Sequence, residues 1–132
     1  MNDEFQSPSS IHQSSFINHH FLDVVEHLVA KSLLTVDTSE DEARYRMLET
    51  IRQFALEKLG DAGEVDECRR KHFGFYQALA AIAARGLRGP EAHVYLRWFD
   101  RELGNYRTAL RWARENGMLE AHVETVVAMG QY

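Results

Sequence analysis

This chain of 132 residues has little of what staples or specialises a fold. It has one cysteine, Cys68, which excludes an internal disulfide and fits a reducing compartment. No apolar run approaches the roughly 20 residues that a membrane-spanning helix needs. The opening MNDEFQSPSS lacks the basic and apolar regions of a secretory signal, so the expected location is cytoplasmic. No G-x-x-x-x-G-K-[ST] run occurs. Gly60 and Gly63 stand too close together, and neither they nor Gly86 and Gly89 are followed by the required Lys. A phosphate-cradling loop needs the glycines for backbone approach and the Lys for charge. ATP hydrolysis by such a loop is therefore not expected, nor is a bound nucleotide or other cofactor.

What is present suits a modest soluble module. The hydrophobic fraction of 45% is ordinary for a globular chain, and the length suits one domain with a small appendage. Charge is uneven. Residues 1–43 hold one basic residue, Lys31, and eight acidic ones, a net of −7, whereas residues 44–132 carry +2. Met1 to His20 is rich in Ser, His, Asn and Gln and is expected to be a poorly ordered arm.

The richest local signal runs from Phe21 to Leu59. Phe21, Val24, Val25, Leu28, Val29 and Leu33 make one apolar helical face. Leu34, Thr35 and Val36 favour a strand. The acidic run Asp37–Glu42 predicts a turn, and Tyr45 and Met47 alternating with Arg44 and Arg46 predict a second strand. Two strands around a polar tip form a hairpin that needs helices to pack on. Beyond it the chain is helical. Glu49–Leu59 sets Ile51, Phe54, Ala55 and Leu59 on one face, and Gly60 and Gly63 suit its end. Glu64–Arg85 carries a stripe of Val65, Cys68, Phe75, Tyr76, Leu79, Ile82 and Ala83. Pro90 suits a first helical turn. Ala92, Leu96, Phe99, Leu103, Tyr106, Leu110 and Ala113 then follow a sustained amphipathic spacing. Asn116-Gly117 predicts a stop, and Leu119, Val123, Val126 and Val127 mark another helix.

These residues carry a resemblance. The pattern LVAKSLL followed by RYRMLETIRQFALEKL, then Arg69–Phe73 with Tyr76, then Leu87–Pro90 and Trp98–Leu110, resembles bacterial STAND-type signal-transduction ATPases and transcriptional regulators of the LuxR or AfsR kind. The resemblance covers roughly Phe21 to Gly117. It implies the end of a winged helix followed by the start of a tetratricopeptide-like (TPR-like) helical region. Those regulators carry a nucleotide-binding domain before this region, and its P-loop is absent here. No clean 34-residue repeat period is visible either.

Candidate chemistry is sparse. His12 with His19-His20 has no carboxylate or cysteine to complete a metal site, so no metal is expected and a solvated polar arm is the plainer reading. Cys68 and His72 stand at i, i+4, but a nucleophile–base pair also needs an orienting group and an oxyanion site. A partly buried Cys beside a surface or boundary His is the expected arrangement. No catalytic residue is assigned. Arg69-Arg70-Lys71 reads as a solvated helix face. Arg97, Arg101 and Arg111, with Trp98 and Trp112 beside them, suit either a partner interface or single-stranded nucleic acid, and otherwise ordinary salt bridges and packing. Trp98 and Trp112 lie off the core stripe and are the candidate contact residues; burial of both indoles would remove that reading.

The expected fold is mostly α. It comprises an arm (1–20), a winged-helix remnant with a hairpin wing (21–48) and an antiparallel TPR-like helical bundle (49–132). The expected function is a non-catalytic protein–protein interaction module in regulation, contacting a protein partner or a second copy and no membrane. The alternative is a DNA-binding regulator acting through the winged helix. The acidic wing tip of Asp37, Glu40, Asp41 and Glu42 would repel a phosphate backbone and counts against it.

Overall fold

The computed structural model describes residues 19–39 and 43–130. Most of the expected arm, with His12, and the wing-tip residues Glu40, Asp41 and Glu42 lie outside the described residues. The elements are α1 (His19–Ala30), β1 (Leu34–Asp37), β2 (Arg44–Met47), α2 (Glu49–Asp61), α3 (Val65–Gly86), α4 (Ala92–Glu115) and α5 (Leu119–Met129). The protein is thus mostly helical with one small antiparallel hairpin, as the periodicity predicts. It divides into two compact units, one ending at Gly63 and the other running from Glu64.

In the first unit, α1 presents Val25 as its buried residue. The helix ends because Ser32 adopts the left-handed conformation, with φ of 58°. Its N–H bonds the Val29 carbonyl at 2.9 Å and the Leu33 N–H bonds that of Leu28 at 2.9 Å. Those two bonds satisfy carbonyls that a helix end leaves open. The chain then enters β1, which pairs with β2 in the register Leu34–Met47, Thr35–Arg46, Val36–Tyr45 and Asp37–Arg44. Alternation puts Val36 and Tyr45 on one face, and with Val25, Glu26, Val29 and Ala30 they line a cleft of about 270 Å³. Asp37 starts the turn by accepting the Ser39 N–H at 3.0 Å and the Ser39 hydroxyl at 2.6 Å. The apolar face predicted for α2 forms no core within the unit, since no α2 residue is buried and Phe54 is largely exposed.

The second unit holds the main core. Its three helices α3, α4 and α5 all pack on one another. Phe73, Tyr76, Leu79, Ala80 and Ala83 of α3 meet Tyr95, Trp98, Phe99, Tyr106, Ala109, Trp112 and Ala113 of α4. The alanines let the helix axes approach, and the aromatic rings fill the remaining width. Tyr106 is completely buried. Its ring lies 4.9 Å from Tyr76, 5.2 Å from Phe99 and 6.2 Å from Trp98, centroid to centroid. These edge and tilted arrangements suit the ring quadrupoles. Gly86 is required where α3 ends, because a Cβ there would collide with the buried Tyr95 ring. At the end of α4, Gly117 takes φ of 72°, and the Met118 N–H reaches back to the Ala113 carbonyl at 2.9 Å.

Two expectations for this unit change. On α3 the buried set includes Phe73, while Phe75 is 41% exposed and Cys68 is exposed rather than partly buried. On α4 the buried face is turned toward the tryptophans. Leu96 and Leu103, predicted as core, are 42% and 38% exposed. The reason is that α4 is contacted by both α3 and α5, so burial follows those neighbours and not the centre of the leucine stripe.

Candidate interaction surface

A polar group sits inside the aromatic core. Glu102 is only 7% exposed. Its Oε2 accepts the Tyr76 hydroxyl at 2.7 Å and the Asn105 side-chain amide at 2.7 Å. A buried carboxyl is tolerable only with such donors, and these tie α3 to α4. The His72 ring lies tilted against Tyr76, with centroids 4.8 Å apart. Burial pushes the His72 imidazole pKa below its ordinary value, and the nearby Glu102 partly opposes this. Nothing in its residue type marks Glu102 as a core residue. The available signal was its place between Phe99 and Tyr106 on the same side of the helix.

The last helix is fastened by His122, whose Nδ1–H donates to the Leu110 carbonyl at 3.0 Å, and by the buried Thr125. Between α4 and α5 an open groove remains, with a volume of about 530 Å³. Leu96, Phe99, Leu103 and Leu110 from α4 and Val126 and Met129 from α5 form its apolar floor and walls, with Asp100 at the edge. Leu119, Val123 and Val127 of α5 are also more than half exposed. A run of exposed aliphatic side chains of this kind marks an interaction site more often than a free surface.

The residues singled out from sequence separate into two groups. Trp98 and Trp112 are 7% and 9% exposed and belong to the core, so the indoles offer no contact surface. The Arg101 guanidinium lies inward, with Nε and Nη2 both buried. Arg97 and Arg111 are exposed on α4. Arg69, Arg70 and Lys71 are exposed on α3, with Lys71 paired to Glu67 at 2.7 Å. Among the described residues, no group of three or more His, Cys, Asp or Glu could hold a metal ion, and no helix is long and apolar enough to cross a membrane. In the hairpin, the Ser39 hydrogen bonds hold the Asp37 carboxyl below the usual carboxylate range, with Arg46 and Arg44 adding to the effect.

No family model and no solved structure matches the chain. It is similar to provisionally named HTH-type transcriptional regulators of Mycobacterium tuberculosis and Mycobacterium bovis. The identity is 44% over 99 residues, covering 73% of this chain and 11% of each regulator. It is also 36% identical over 64 residues to an uncharacterized protein of Mycobacterium tuberculosis, covering 46% of this chain and 16% of that protein. The chain therefore spans 11% of the length of the regulators it matches, and over that span it is similar to a transcriptional regulator.

Proposed function

We propose that this chain is a non-catalytic segment of a bacterial transcriptional regulator that acts by protein–protein contact. The observation that carries the reading is the open apolar groove between α4 and α5, set in a segment similar to HTH-type regulators. The finer assignment is the junction between a winged helix and a TPR-like helical region of a STAND-type regulator. The helix–hairpin unit followed by antiparallel helices supports it. In this reading the segment transmits the state of one part of the regulator to another through its helices.

A second reading is favoured by the relatives' name: direct DNA binding through the hairpin unit. Electrostatics argue against it, because residues 1–43 carry a net charge of −7 and duplex binding depends on neutralising phosphates. Fluorescence anisotropy of a labelled duplex separates the two. Protein contact predicts no saturable binding at about 10 µM protein in about 50 mM salt. Saturable binding that weakens steeply by about 200 mM salt would establish the DNA reading instead.

A further inference from the structure

The groove between α4 and α5 has a charged edge as well as an apolar floor. Arg97, Arg107, Arg111 and Arg114 are all exposed on α4, and among the described residues none of them forms an ion pair. Asp100 fixes which side of α4 borders the groove, since it is one of the lining residues. At about 100° per residue, Arg107, Arg111 and Arg114 fall within about 40° of the Asp100 direction. Glu115 closes the far end, so from Gly104 to Arg114 this edge carries arginines and no acid. Gly104 itself has open space around it.

We propose that this groove is a docking site for an amphipathic helix of a partner protein, with aliphatic residues on one face and Glu or Asp flanking them. The proposal rests on the protein-contact role above and names the chemistry of the contact. An open trough between two helices, floored by Leu96, Leu103, Leu110 and Val126, matches the ridges of a third helix. The row of arginines supplies the sign: it favours an acidic flank and disfavours a basic one. The same row argues against a second copy as occupant. A two-fold contact through this face would bring the arginine edge toward itself. The aliphatic floor in turn favours a helix over a phosphate backbone, which would leave the leucines uncovered.

The test uses the full 132-residue chain and two labelled synthetic helical peptides. Both carry three leucine heptads; one has Glu at the flanking positions and the other has Lys. Anisotropy titration should show the Glu peptide binding at least about tenfold more tightly than the Lys peptide. The R107E/R111E double variant should lose that preference or reverse it, and L103D should abolish binding of the Glu peptide. Leu103 is 38% exposed and Arg107 and Arg111 are exposed, so circular dichroism should show the variants folded. Equal binding of the two peptides, no binding of either, or binding indifferent to R107E/R111E would overturn the proposal. Concentration-dependent dimerisation abolished by L103D would also overturn it, in favour of a second copy. If the peptides fail and the duplex also fails to bind, the groove assignment falls alone. If the duplex binds saturably, the protein-contact reading falls with it.

Discussion

Removing one oxygen atom tests the core described above. Tyr76→Phe deletes the hydroxyl that donates to Glu102 at 2.7 Å and leaves the ring contacts with His72, Phe75 and Tyr106 in place. A hydrogen bond to a charged group contributes about 1.5–3 kcal/mol. Asn105 still donates to the same carboxyl oxygen, so the expected cost lies at the low end, about 1.5 kcal/mol. For a unit of fewer than about 100 residues that corresponds to a melting temperature lower by roughly 6–12 °C. Both tryptophans of the chain are buried in this unit, so intrinsic fluorescence during urea unfolding reports on it. The Tyr76→Phe effect should vanish or change sign in a Glu102→Leu background, where that bond is already gone. A cost below about 0.5 kcal/mol in the wild-type background would refute the idea that this bond fastens α3 to α4.

Two further outcomes are expected. His72 has a pKa lowered by burial from an ordinary value of 6.5, so the unfolded chain takes up its proton first as the pH falls. The associated stability is complete above about 6.5, declines below it, and levels off once the folded imidazole is also protonated. Urea midpoints followed by tryptophan fluorescence should therefore fall between about pH 7.5 and 5, and His72→Gln should flatten that slope. The Asp37, Glu49 and Glu67 carboxyls, held low by Ser39, Arg52 and Lys71 respectively, act in a separate window below 3.8 to 4.5. Ser32→Gly should stabilise the end of α1, because φ of 58° strains any residue with a Cβ. A gain of about 0.7 kcal/mol would slow exchange of the Leu33 amide roughly threefold, and faster exchange would contradict the strain argument.

Local elements were well marked in the chain. The steps of three and four residues in α4, the alternation around Tyr45 and Met47, and Gly117 after Asn116 each state a backbone preference that needs no distant partner. The interaction surface was only half legible. Arg97 and Arg111 are legible as an exposed basic set, whereas Trp98 and Trp112, expected at a contact surface, are core. Glu102 was the reverse case, a charged residue that the core encloses. In each instance the side chain's type was a weak guide, because burial on a two-sided helix depends on where its neighbours lie.

Periodicity, turn chemistry and charge act within a few residues, so the helices and the hairpin are legible in the chain, although the first helix stops at Ala30, short of the Leu33 that shares its apolar spacing. Which side of α4 is closed depends on its neighbours in space. Packing against both α3 and α5 encloses Trp98, Glu102, Tyr106 and Trp112 and leaves Leu96 and Leu103 on an open groove. An amphipathic stripe states how much apolar surface a helix carries, and the positions of its neighbours determine how much of that surface meets protein or remains open to a partner.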